Sequence, residues 1–135
     1  MATLTPFKPA PPGAKVALVV DDDPTICTLV ATTLSQVFAV YVADSAQRAM
    51  QMLLELPTPN VIVCDVAMPA VDGIQFVRSM RAIPKLAATP VIFLTAKTAP
   101  LDVITGINAG ARFYMTKPFN PAALLEKVMK VTGAK

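Results

Sequence analysis

Residues 16–24, VALVVDDDP, decide the fold. The first five residues are apolar, mostly β-branched, and run straight into acid. A run that short with no polar alternation reads as a strand buried on both faces, as in a parallel sheet between two helix layers. Asp23-Pro24 then has the chemistry of a helix start. An Asp carboxylate can accept from the first unpaired amides, and a proline loses nothing by lacking an N–H at the first helical position. Ile26, Leu29, Val30, Leu34 and Val37 follow at helical spacing.

The same alternation repeats outward from this stretch. Phe38–Val42 predicts a second strand, and Asp44-Ser45 caps a helix carrying Ala49, Met52, Leu53 and Leu56 that Pro57 and Pro59 end. Val61–Cys64 is a third strand. The loop Asp65–Gly73 has turn signals at Met68-Pro69 and Asp72-Gly73, both read as shaping the loop. Ile74, Val77, Met80 and Arg81 lie on a third helix closed by Pro84. Val91–Leu94 is strand four, Pro100 opens a helix through about Asn108 with Gly110 as its C-cap, and Phe113–Met115 is strand five. Asn120-Pro121 caps a last helix with Leu124, Leu125, Val128 and Met129 on one face. Five strand–helix units imply an α/β fold, a parallel sheet with helices on both faces and right-handed crossovers.

Composition excludes several classes. At 135 residues the chain fits one domain, read as 15–135. Hydrophobic residues make up 54%, charged residues 16%, and the mean hydropathy is +0.56, as buried strands require. No apolar run approaches the roughly 20 residues that span a bilayer, so membrane insertion is not expected. Net charge is +3 without a dense Lys/Arg run, which argues against direct nucleic-acid binding. Cys27 and Cys64 read as buried reduced thiols, and with no His and no CxxC a zinc site is excluded. Residues 1–14, with Pro6, Pro9, Pro11 and Pro12, read as a Pro-rich disordered leader; a linker or a recognition segment is the alternative. They contain no apolar signal core, so a cytoplasmic location is the default.

The unusual polar residues collect at one edge. Asp21 and Asp22 follow strand one, Asp65 strand three, Thr95 strand four and Lys117 strand five. The carboxyl edge of a parallel α/β sheet is where ligands bind. Three carboxylates together repel one another and invite a hard divalent cation such as Mg²⁺. A carboxylate can also act as a nucleophile and form an acyl phosphate, with Lys as a point charge and Thr as a hydroxyl donor for phosphate oxygens. Taken singly, each residue has a plainer reading: Asp65 as a turn cap, Lys117 as a solvated strand end. Asp23 reads as a helix cap and not as a ligand.

VVDDDP (19–24), VIVCDVAMPAVDG (61–73), VIFLTA (91–96) and YMTKPF (114–119) resemble, in order and spacing, the four signature segments of response-regulator receiver domains of two-component signalling (CheY-like), over roughly residues 15–132. The resemblance implies a flavodoxin-like doubly wound (βα)5 fold with strand order 2-1-3-4-5. It implies that Asp65 is the phosphoacceptor, that Asp22 binds Mg²⁺ (or Mn²⁺) directly and Asp21 mainly through water, and that the backbone carbonyl of Ala67 is a further metal ligand. Lys117 would contact Asp65 and the phosphoryl group, Thr95 would move toward the phosphate, and Tyr114 would be the aromatic switch that follows it. The Lys117–Pro118 bond would be cis. The implied partners are a sensor histidine kinase or histidine phosphotransfer protein and, downstream, a protein target or a second copy. Such a chain catalyses only its own phosphorylation and dephosphorylation.

Four features depart from the family pattern or bear on its tuning. Ala67 lacks a side chain that could tune phosphoryl lifetime, Lys97 is a second tuning position, and Leu101, Val103 and Ile104 make the predicted 100–108 helix unusually apolar. Arg112 and Phe113 stand where acids are common. The face formed by that helix, strand five and the last helix is therefore the expected docking surface; the alternative is that these side chains pack inward. Two other readings remain: a haloacid-dehalogenase-type phosphatase using Asp21-x-Asp23, opposed by Pro24 in place of Gly, and a non-phosphorylated receiver-like binding module.

Overall fold

A computed structural model describes residues 4–68, 70–96 and 113–134. The strands are β1 (Val16–Val20), β2 (Ala39–Ala43), β3 (Val61–Asp65), β4 (Val91–Ala96) and β5 (Phe113–Lys117). The helices are α1 (Pro24–Leu34), α2 (Ala46–Leu53), α3 (Gly73–Arg81), a 3₁₀ turn at Pro84–Leu86, and α4 (Pro121–Thr132). All strand pairs are parallel, in the order β2-β1-β3-β4-β5, as the resemblance implies. The predicted 100–108 helix, and with it Lys97, Leu101, Val103, Ile104, Gly110 and Arg112, lies outside the described residues.

The sheet separates two apolar layers. Leu18, Val20, Ile62, Cys64 and Phe93 face α2 and α3, with Met52, Phe76, Val77 and Met80 packed on them. Ala17, Val19, Val63, Ile92 and Leu94 face the other way, toward Val30 and Leu34 of α1 and Leu124 and Val128 of α4. Both faces of β3 are buried, which is why its sequence shows no polar alternation.

The helix starts follow the sequence chemistry. Asp23 accepts from the amides of Thr25 and Ile26, Ser45 from Arg48, and Asn120 from Ala122 and Ala123. Asp72 is more than a turn residue: it caps α3 through a reciprocal capping box with Gln75. Other boundaries shift for local reasons. β2 begins at Ala39, not Phe38, because the Phe38 amide still bonds to Leu34 O and belongs to the end of α1. α2 stops at Leu53, short of Pro57, although the Leu56 amide still reaches Met52 O and its side chain stays buried. Pro84 does not close α3 but opens the 3₁₀ turn. β4 and β5 run longer than expected, so Thr95 and Lys117 are strand residues and not loop residues beyond them.

Within the leader, residues 4 and 7 contact the domain. The Phe7 amide donates to Val40 O at 2.6 Å, and Leu4 packs on the α2–α3 layer.

Candidate functional site

Strand register brings the predicted residues to one edge. β3 sits between β1 and β4, so Asp65 ends the central strand next to the ends of both neighbours. Ala96 pairs with Lys117 and Thr95 with Thr116, which puts Thr95 and Lys117 on adjacent strand ends. Asp21, Asp65 and Thr95 are buried, and Asp22 is exposed.

Each buried carboxylate is held at defined atoms. Asp21 Oδ1 accepts from the Asp23 amide at 2.9 Å, and its Oδ2 accepts from Lys117 Nζ at 3.0 Å. Asp65 Oδ1 accepts from the Ala67 amide at 3.2 Å and lies 3.4 Å from Lys117 Nζ. Both of those contacts fall on one oxygen of Asp65. Lys117 was expected to contact Asp65; its shorter ion pair is with Asp21, so the ammonium bridges two carboxylates. The Lys117–Pro118 bond is cis.

The electrostatics show strain in the charged state of Asp65. Burial and the neighbouring Asp21 raise its pKa to about 6, against the opposing pull of Lys117 and the Ala67 N–H. For Lys117, burial works to lower the pKa, but the ion pairs with Asp21 and Asp65 together outweigh it and the net shift is upward. The site is thus short of positive charge. Asp21, Asp22 and Asp65 each offer an oxygen, all within 4.8 Å of one another. Oxygens this close could converge on a single divalent cation such as Mg²⁺. An oxygen-only donor set suits a hard cation.

Asp23 Oδ1 accepts from the amides of Thr25 and Ile26 and caps α1, as the sequence predicts. Tyr114 lies on β5 beside Phe93 and is 42% exposed. Ala67 takes part through its backbone amide; its side chain is exposed and apolar.

The sequence reading missed three supporting residues. Gly73 was taken as a turn signal, yet a Cβ there would collide with the carbonyl oxygen of Asp65 and stand 3.1 Å from Cys64 Sγ. Its amide donates to Val66 O at 2.8 Å, so the start of α3 rests directly on the backbone of the candidate nucleophile. The two thiols, free and buried as expected, donate to the site's own backbone: Cys27 to Asp21 O at 3.1 Å and Cys64 to Asp65 O at 3.2 Å. Burial raises both thiol pKa values, that of Cys27 to about 11, so both stay protonated donors. The Asp-Gly pair was a visible signal for close backbone approach; nothing in the spacing pointed to the thiols.

Comparison with known proteins places the chain in a family. The family model described as the response regulator receiver domain matches residues 17–129. A chemotaxis protein CheY homolog of Campylobacter jejuni is 33% identical over 118 residues, covering 86% of this chain and 91% of that protein. The DNA-binding response regulator MtrA of Mycolicibacterium smegmatis is 35% identical over 112 residues, but this chain spans only 47% of its length. Among solved structures, chemotaxis protein CheY4 of Vibrio cholerae superimposes with a TM-score of 0.82 at 32% identity, covering 88% of this chain and 99% of that one.

Proposed function

This chain belongs to the response regulator receiver domains of two-component signalling, CheY-like in fold, and from that premise we propose that it is a phosphorylation-activated switch whose phosphoacceptor is Asp65. The observation that carries the reading is the constellation itself: a buried carboxylate whose Oδ1 is engaged by Lys117 and the Ala67 amide, beside Asp21 and Asp22. With Oδ1 so held, Oδ2 is the attacking oxygen.

The donor in this reading is a phosphohistidine on a sensor kinase or phosphotransfer protein, as the receiver family implies. Asp65 Oδ2 attacks phosphorus in line, the P–N bond breaks, its electron pair stays on the imidazole nitrogen, and an acyl phosphate remains on Asp65. Asp22 directly, Asp21 mainly through water, Asp65 and the Ala67 carbonyl would hold Mg²⁺ or Mn²⁺, which supplies neutralisation of phosphoryl oxygen charge. Lys117 places its ammonium on a phosphoryl oxygen, and Thr95 offers its hydroxyl. Hydrolysis resets the switch, and no separate substrate is turned over.

Phosphorylation shifts a two-state equilibrium through Thr95 and Tyr114. The exposure of Tyr114 supports this role, because an exposed ring can turn inward. The altered face, around β5 and α4, then receives a downstream protein or a second copy. No described helix is long and apolar enough to cross a membrane, and a cytoplasmic setting fits the proposed donors.

Exposure to a small acyl-phosphate donor with Mg²⁺, followed by intact mass measurement, tests the reading. One base-labile phosphate per chain is expected, absent in Asp65→Asn and absent with chelator. Steady turnover of many phosphate esters, lost in Asp21→Asn, would instead establish a phosphatase.

A further inference from the structure

The open edge of the sheet at β2 has an occupant within the chain. β2 pairs with β1 on one side only, and the segment around it, VFAVYVA (37–43), has no charge, Gly or Pro. An uncharged, β-branched edge of that kind is a template for pairing with another chain. Residues 4–7 lie along it. Phe7 N donates to Val40 O at 2.6 Å, and Leu4 packs on the same layer as Tyr41 and Met50. Burial alternates as in a strand: Leu4 and Pro6 are half-buried, Thr5 and Phe7 exposed. The segment also contains residues that stop further pairing. Pro6, Pro9, Pro11 and Pro12 have no N–H to offer to a next strand, and Lys8 adds a charge.

We propose that residues 4–8 are an edge guard: they occupy the outer side of β2 and end the sheet there, and when they are removed a second copy of the chain pairs through the exposed 37–43 edge. The inference is independent of the phosphorylation reading and concerns the opposite side of the sheet from β5.

Sedimentation of unphosphorylated full chain and of a chain lacking residues 1–8 tests it, with amide exchange followed at Phe7. No phosphodonor is present, so association through the β5–α4 face does not enter. The full chain should stay monomeric with the Phe7 amide protected at least about tenfold over an unstructured peptide. The truncated chain should form dimers whose fraction rises with concentration, and Tyr41→Lys within it, which places a charge on the edge strand, should restore the monomer. Should the truncated chain fail to fold, Phe7→Pro in the full chain decides, because it deletes the donor while keeping the length; self-association is expected there too. A monomeric, folded truncated chain, a Phe7 amide that exchanges as fast as an unstructured one, or a monomeric Phe7→Pro chain should truncation prevent folding overturns the proposal.

Discussion

At the amino end of the sheet, polar side chains meet neutral backbone partners. Asn60 exchanges two hydrogen bonds with Val16, Lys15 Nζ donates to Thr132 O at the end of α4, and Arg81 donates to the carbonyls of Leu86, Ala87 and Thr89. At the carboxyl end, two buried carboxylates share one ammonium while a third stands exposed beside them. The amino end closes loops and helix ends on neutral carbonyl and amide groups, with no carboxylate among these contacts. The carboxyl end is left poorer in positive charge than its carboxylates require, and a cation or a transferred phosphoryl group can change that balance. Substitutions at the first end should therefore alter stability alone, and at the second both stability and chemistry.

The strongest test of this contrast is Gly73→Ala. The added Cβ has no room against the Asp65 carbonyl, which is backbone and cannot swing aside. The expected cost is about 3 kcal/mol, the upper part of the overpacking range. Because the displaced atom belongs to Asp65, the surviving folded fraction should also accept phosphate more slowly. Denaturant melts together with the phosphorylation rate would show whether the two effects travel together. A rate unchanged per folded molecule would separate Gly73 from the chemistry.

The next effect is the pH dependence of Asp65. Its folded pKa of about 6 lies above the ordinary 3.8. Between those values the unfolded chain releases its proton first, so the folded state binds more protons and stability falls as pH rises. The stabilising contribution of the neutral acid is full below about pH 4 and is lost by the time pH passes 6, a change on the order of 2–3 kcal/mol. In chelator, Asp65→Asn should thus be more stable than the parent at pH 8 by about that amount and nearly equal to it at pH 4. Added Mg²⁺ should narrow the gap at pH 8 by stabilising the parent. Equal stabilities at pH 8 would mean that Lys117 already balances the site.

Much of this contrast was readable in the sequence, unevenly. The carboxyl end announced itself because acids, a Thr and a Lys at the ends of apolar runs are anomalies there, and the alternation fixed which ends coincide. Helix caps at Asp23 and Asn120 were legible because capping is local. The contributions of Gly73, Cys27 and Cys64 depend on how closely α1 and α3 approach the strand ends, a tertiary distance that local patterning does not encode. The same holds at the amino end: Arg81 appeared only as a helix residue, since its acceptors lie on the following turn. The contacts of Leu4 and Phe7 were not legible for a related reason. Proline-rich composition predicts extended backbone, and extended backbone can either float or lie along an edge.

Arg81→Ala should cost about 2 kcal/mol by leaving up to three carbonyls to water or to no partner. Phosphorylation per folded molecule should be unchanged. A slowed rate would mean that the two ends are coupled through α3, whose first residue rests on Asp65 and whose last is Arg81.

The smallest expected effect is the most direct check of the amino end as a purely structural closure. Asn60 extends the β1 ladder by one step: its amide donates to Val16 O at 2.8 Å and its Oδ1 accepts from Val16 N at 2.9 Å. Asn60→Ala keeps the first bond and removes the second. The position is exposed, so water can replace the lost acceptor and the cost should be only about 0.5–1 kcal/mol. Asn60→Asp replaces the amide oxygen with a charged acceptor of the same shape and should recover most of that loss. Neither variant should change metal dependence or phosphate uptake, because the perturbation enters at the far end of β1 from Asp21, and the residues between them are fully buried in a close-packed interior. A measurable change in Mg²⁺ affinity in Asn60→Ala would show that β1 transmits strain along its length, and that the two ends of the sheet are a single mechanical unit.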